Sequence, residues 1–194
     1  MPRRLPGRLP GAVPFVLRGR FIWREMFLGA DKELGLMTTD SCKPDAEGDI
    51  EVIARGVCVQ EGSVLVCHSI GASNTYLPGG HVEFGESARA ALARELLEEA
   101  GVNVHVGNFI AVVENIFVQN GSRHSEVNLI FEMSLPPELS IHDVESREEK
   151  IEFMTSELET LAGSAIEPSL LREMVRAWVR GEAVPPFVSY RETG

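Results

Sequence analysis

Residues 77–102 read LPGGHVEFGESARAALARELLEEAGV, and this stretch decides how the rest of the chain is interpreted. Ser87 is a helix N-cap residue, Ala88 to Leu97 are almost all strong helix formers, and Gly101 sits where a left-handed residue would end the helix. The segment therefore predicts a loop followed by a helix of about fourteen residues. Ala88, Leu92 and Leu96 recur every four residues and form its buried stripe, flanked by Ala91 and Leu97. Glu95, Glu98 and Glu99 stand at i, i+3 and i+4 and share one face.

Three carboxylates on one helical face repel one another, and they lie close to the negative end of the helix dipole. On most acidic helices such a face is simply solvated. Here the acids come with Gly80, Glu86, Arg94, Gly101 and aliphatic residues at 96 and 102, and at average residue usage all nine constrained positions coincide with probability on the order of 10^-8 to 10^-7. That spacing excludes the solvated face. A hard divalent cation held by oxygen ligands would reverse the local electrostatics, and Mg2+ takes one or two carboxylates together with substrate phosphates. The glycines before the helix let backbone come close to such a group.

The spacing G-x5-E-x7-R-E-U-x-E-E-x-G-U, with U aliphatic, is the Nudix box, matched here at every constrained position, and the chain resembles the Nudix hydrolases. The box covers 80–102, and looser similarity extends over roughly 50–180. The resemblance implies an α/β fold, an α/β/α sandwich around a central mixed β-sheet, and divalent-cation-dependent hydrolysis of a nucleoside diphosphate linked to another moiety. Carried over by position, it makes Glu95, Glu98 and Glu99 metal ligands, with the Gly80 carbonyl as a further one and Mg2+ or Mn2+ as the cofactor. It places Arg94 with Glu95 and Glu98 in the catalytic set, and Glu86 and Gly101 as structural residues of the box. The water-activating base is not fixed in the family: it can be a box glutamate or an acid from a later loop.

The composition sets bounds. With 194 residues, 44% of them hydrophobic and 24% charged, the chain predicts one domain with extensions. A net charge of -11 excludes a protein built to hold a nucleic-acid polymer by its phosphates, although a small phosphate-bearing substrate remains compatible with bound metal. Cys42, Cys58 and Cys67 have no metal-ligand spacing and read as buried reduced thiols, which suits a cytoplasmic protein. No run of residues reaches the roughly twenty apolar positions of a membrane span.

Residues 1–48 form a basic extension, expected to be disordered, with arginines at 3, 4, 8, 18, 20 and 24 and no acid before Glu25. An over-long start, with Met26 or Met37 as the true beginning, is a second reading, and an arm that touches RNA or anionic lipid is a third. A hydrolase domain over 49–182 and a tail over 183–194 complete the expected organisation. Ile50 to Val59 and Val64 to Val66 read as a hairpin around Glu61-Gly62, and Thr75 to Leu77 as a third strand ending in a Pro78-Gly79-Gly80 loop. Val102 to Val106 reads as a short strand, followed by a hairpin of 109–119 and 123–134 around Asn120-Gly121.

On that hairpin Glu126, Asn128 and Glu132, with Glu114 and Asn115, are candidates for a polar cleft, and Glu126 is a candidate base or extra ligand. Glu145, Glu148 and Glu149 are further candidates for either role, on a surface loop over 136–150. A strand over 151–154 and a short helix over 156–161 are expected next. Leu170, Leu171, Met174, Val175 and Trp178 then recur at helical spacing and read as core or as a homodimer contact. Phe187 and Tyr190 belong to a packed tail, or stack on a base.

Substrate signals known in the family outside the box are missing. There is no proline about fifteen residues past the box (the region is Ile116-Phe117-Val118), no tyrosine at a similar distance, no SQPWPFPxS array and no LLTxR signature. The expectation is a pyrophosphohydrolase for a nucleoside triphosphate or a nucleotide sugar. The alternative is a catalytically silent module that senses a nucleotide, and such a module would be expected to have lost box glutamates.

Overall fold

A computed structural model describes residues 49–119 and 122–191. The expected basic extension, Cys42 and the Asn120-Gly121 turn lie outside the described residues. Nine strands and two α-helices follow in the order β1 (Ile50–Val57), β2 (Val59–Gln60), β3 (Ser63–Ser69), β4 (Thr75–Tyr76), β5 (Gly79–His81), α1 (Ala88–Glu99), β6 (His105–Gln119), β7 (Ser122–Ser134), β8 (Ile151–Glu157), α2 (Leu170–Val179) and β9 (Phe187–Arg191) among the described residues.

The strands form two sheets. The five-stranded one runs β5-β1-β7-β6-β9 and is mixed: β1 is antiparallel to β5 and parallel to β7, and β6 is antiparallel to β7 and parallel to β9. In the other, β3 pairs β2 and β4 along one edge and β8 along the opposite edge. Alternation of side chains builds two cores. Ala54, Leu65, Cys67, Phe131 and Met133 pack with Ala91, Leu92 and Leu96 of α1. Val57, Val64, Val66, Val113 and Ile130 pack with Leu171, Met174 and Val175 of α2. Val64 to Cys67 is apolar at every position because successive residues serve opposite cores. The result is an α/β/α sandwich with a mixed sheet, the fold the sequence predicts, and the α2 stripe is core.

Several local expectations change. Ile50 to Val57 does not hairpin with β3: the chain changes sheets at Cys58, and only Val59–Gln60 folds back on Ser63–Val64. The Pro78-Gly79-Gly80 loop is partly strand, because Gly79 and Gly80 pair with Arg55 and Ala54. The helix has 12 residues, and Leu97 is 43% exposed, about 100° round the helix from Leu96. Of the expected strand at 102–106 only His105 and Val106 are strand, and they begin β6, which continues across a β-bulge.

The 136–150 loop is not all surface, since Ile141 and Val144 are buried against the α1 core. The helix expected at 156–161 is the end of β8, a turn and a single 3-10 turn over Leu161–Gly163. The tail contains β9 on the sheet edge, with the Tyr190 hydroxyl 3.3 Å from Ser169 Oγ and Phe187 54% exposed.

Candidate active site

Strand β5 leads through residues 82–87 into α1, and Arg94 ties this loop to the helix. Its guanidinium donates to both oxygens of Glu86 (3.0 and 3.1 Å), to Glu95 Oε1 (2.9 Å), to Glu98 Oε2 (3.0 Å) and to the carbonyl of His81 (3.1 Å). Arg94 holds the Glu86 carboxyl below the usual carboxylate range, and these carboxylates keep Arg94 charged. Ser87 Oγ accepts from the Ala90 amide at 3.2 Å, which makes it the N-cap.

Two glycines are required by close approach. At Gly80 a Cβ would collide with the Glu95 carboxylate, so backbone and carboxylate lie against one another there. Gly101 has φ 72° and closes the helix with its N–H on the Leu97 carbonyl at 3.0 Å, while the Arg147 guanidinium occupies the space of a side chain.

Glu99 differs from its neighbours. Its Oε2 is buried and has no hydrogen-bond partner. Burial first, then the charges of Glu95 and Glu148, push its carboxyl up to about 7, against a lowering pull from Arg55. A buried carboxylate oxygen without a donor is costly, and a bound cation is one of the few things that explains it. Among the described residues no three His, Cys, Asp or Glu side chains converge on one point, because Glu95 and Glu98 turn to Arg94, the countercharge beside them. The donors available are carboxylates and a peptide carbonyl, hard oxygens that fit Mg2+ or Mn2+.

The loop acids separate. Arg147 N–H donates to the Glu99 carbonyl at 2.6 Å and docks the loop on the end of α1. Of the loop acids, Glu148 contributes most to the charge acting on Glu99, and Glu145, Glu148 and Glu149 are all exposed. Glu126 lies elsewhere, bonded to Asn115 and Asn128. The expected polar cleft keeps these three only. Glu114 pairs with Val127 on the opposite face, and Glu132 is taken by Asn108 at the bulge.

Sequence reasoning passed over Arg55, whose Nη1 donates to the carbonyls of Leu77 (3.1 Å) and Gly79 (2.8 Å) with its guanidinium over the Tyr76 ring. The signal was a lone arginine between Ile53 and Val57, at an inward position of an apolar strand. A cavity of about 430 Å³ lined by Thr75, Thr155, Ser156, Thr160 and Ser164 lies along β3 and β8, and none of the box carboxylates lines it.

This loop-helix unit on a mixed-sheet sandwich defines a class, and comparison with known proteins agrees. The NUDIX domain family matches residues 50–173, more than half of the chain, and the protein belongs to the Nudix hydrolase family. A putative 8-oxo-dGTP diphosphatase 2 of Mycobacterium tuberculosis is 43% identical over 58 residues, which is 28% of this chain and 41% of that protein. The chain thus matches about two-fifths of its curated relative. Among solved structures, the MutT protein of Methanosarcina mazei aligns with TM-score 0.54 at 22% identity, over 70% of this chain and 97% of that one. A Nudix hydrolase of Nitrosomonas europaea aligns with TM-score 0.55 at 22% identity, over 73% and 79%. At these identities the structural likeness establishes the fold. No helix of the described residues is long and apolar enough to cross a membrane.

Proposed function

We propose that the domain over 49–182 is a divalent-cation-dependent pyrophosphohydrolase, cleaving a phosphoanhydride bond in a nucleoside triphosphate or nucleotide sugar. The observation that carries this reading is the unpartnered, buried Oε2 of Glu99 beside Glu95 and Glu98 at the end of α1. Glu95, Glu98, Glu99 and the Gly80 carbonyl would hold Mg2+ or Mn2+. When bound, the cation supplies positive charge to the diphosphate oxygens and makes water a better nucleophile near neutral pH.

The chain's own part is to place these groups and to manage the proton. Arg94 fixes Glu86 and the 82–87 loop against α1, and it would loosen its hold on Glu95 and Glu98 as they turn to the cation. Glu148, whose charge already bears on Glu99, is the loop acid best placed to accept a proton from the attacking water. Buried reduced Cys58 and Cys67 support a cytoplasmic setting. The test is release of phosphate, pyrophosphate or mononucleotide from a panel of nucleoside triphosphates and nucleotide sugars with Mg2+ or Mn2+. Turnover that EDTA abolishes is expected; no turnover of any of them with metal present would sink the assignment.

A further inference from the structure

The five-stranded sheet buries the polar network that remains of the expected cleft, Glu126 with Asn115 and Asn128. On its α2-facing side, successive register pairs of the β6–β7 hairpin are Ala111–Ile130, Val113–Asn128, Asn115–Glu126 and Phe117–His124. Asn128 and Asn115 are 3% and 7% exposed. Burying two amides in a sheet is expensive unless they are satisfied, and here both turn their Nδ2 to one atom, Glu126 Oε2, at 3.1 and 3.4 Å.

The other carboxylate oxygen is left over. The buried side-chain oxygens and nitrogens without a partner among the described residues are Glu99 Oε2 and Asn115 Oδ1. Glu126 Oε1 also has no protein donor among them, so it reaches the surface, oriented by its neighbour's two bonds. One step along the same face the Phe117 and His124 rings stack at 5.1 Å, with 15° between their planes. The network also connects to the box: Arg55 Nε lies 3.5 Å from Asn128 Oδ1, while Arg55 Nη1 holds the Leu77 and Gly79 carbonyls just before it.

An oriented carboxylate oxygen accepts hydrogen bonds and donates none, so it rejects keto and phosphate oxygens and selects an N–H or O–H. The aromatic pair beside it favours a planar ring over a sugar. We propose that Glu126 is a specificity-determining residue that accepts a hydrogen bond from the exocyclic amino group of the substrate's base, with Asn115 and Asn128 as positioning residues. The inference rests on the reading of the site as a nucleotide pyrophosphohydrolase and adds to it the class of base.

The network makes a sharp demand on Glu126→Gln. Two amide donors face the inner position, so the new side chain must put its oxygen there and its NH2 outward. An acceptor becomes a donor. The experiment compares kcat/KM within two nucleotide pairs, GTP with ITP, which lacks only the 2-amino group, and CTP with UTP, which has a keto oxygen in place of the 4-amino group and a proton on N3, in the wild type, Glu126→Gln and Glu126→Ala. The amino member of at least one pair should lead by about tenfold in the wild type, the discrimination a charge-assisted hydrogen bond provides. The ratio should fall below one in Glu126→Gln and settle near one in Glu126→Ala.

Ratios within twofold of one for both pairs in the wild type, or a preference that Glu126→Gln leaves intact, would overturn the inference while the hydrolase assignment stands. If no pair is turned over, calorimetric binding of the same nucleotides decides. An amino preference lost in Glu126→Gln upholds recognition without hydrolysis, equal binding within the pairs overturns recognition, and no binding of any of the four overturns both readings.

Discussion

The two helices cover opposite faces of the sandwich and treat their charges in opposite ways. On and around α2 each arginine has a carboxylate to itself: Arg172 meets Glu167 at 2.7 Å, Arg176 meets Glu173 at 2.7 Å, and Arg180 meets Glu182 at 2.6 Å. On α1 a single arginine serves Glu86, Glu95 and Glu98, and Glu99 has none of its contacts. Both helices bury ordinary aliphatic stripes, so packing does not require the difference. Where a local rule is broken in an otherwise consistent structure, the site is expected there, and α1 breaks it with three acids at its negative end.

The comparison is broken most directly at Glu98 and Glu99. Glu98→Gln and Glu99→Gln keep shape and helix propensity but remove charge that a hard cation needs. Each should lower turnover by at least about a hundredfold, since even residues that only orient metal ligands cost ten- to a hundredfold, with far-ultraviolet circular dichroism unchanged. Glu95→Gln should behave alike. Near-normal activity in both Glu98→Gln and Glu99→Gln would make α1 a solvated acidic face like any other.

The loop acids sharpen it next. Glu148→Gln should lower kcat by about a hundredfold or more, the low end for a general base, while the Mg2+ concentration needed for half activity stays put. Glu145→Gln and Glu149→Gln, whose charges bear less on Glu99 than that of Glu148, should stay within about twofold of wild type, a difference of roughly 0.4 kcal/mol. A kcat loss in Glu145→Gln or Glu149→Gln as large as in Glu148→Gln would mean that the loop acts through its net charge.

How much of this could be read from residues alone follows from the range of each interaction. The box, its N-cap and its closing glycine were legible because helix periodicity and capping are local. Partner choice is not. Ile50 to Val59 carries apolar residues on both sides of Cys58, and its one glycine, Gly56, is paired within β1 and does not mark the change of sheet, so a hairpin was the natural reading and β7 the true neighbour. Gly79 and Gly80 looked like loop because glycine usually is; they are strand because Ala54 and the Glu95 carboxylate press on them. Glu145, Glu148 and Glu149 are equivalent in sequence, and only the docking of Arg147 on the Glu99 carbonyl sets Glu148 apart. Glu126 was visible as a candidate, but its two buried amide donors depend on strand register.

Stability against pH offers a smaller but cleaner contrast. In the folded, metal-free protein the Glu99 carboxyl is raised from 4.5 to about 7. A raised carboxyl binds its proton more tightly when folded, so its contribution to stability is greatest below pH 4.5, is lost as pH rises to about 7, and is flat beyond. Across that window the loss is on the order of 3 kcal/mol at most. Glu99→Gln removes it, so with EDTA at pH 8 the variant should melt at or above the wild-type temperature, and the gap should close towards pH 4.5. Added Mg2+ should raise the melting temperature of the wild type by mass action and leave Glu99→Gln nearly unmoved. A wild type whose melting temperature does not change between pH 5 and 8 relative to the variant would mean that Glu99 is not held out of water.

The smallest effect belongs to α2 and serves as the reference for all the others. Glu173 is 63% exposed at its side chain and pairs Arg176 one turn away. Exposed pairs of this kind hold two long side chains in place for a screened attraction, and measured values fall between zero and about 1 kcal/mol. Glu173→Gln should therefore change stability by no more than about 0.5 kcal/mol. It should leave turnover, Mg2+ dependence and the pH profile of melting as they are in the wild type. The same chemical change, one carboxylate to one amide, is thus expected to be silent on one helix and decisive on the other. If Glu173→Gln lowered turnover as Glu99→Gln is expected to, α2 would belong to the site, and the division of labour between the two helices would be wrong.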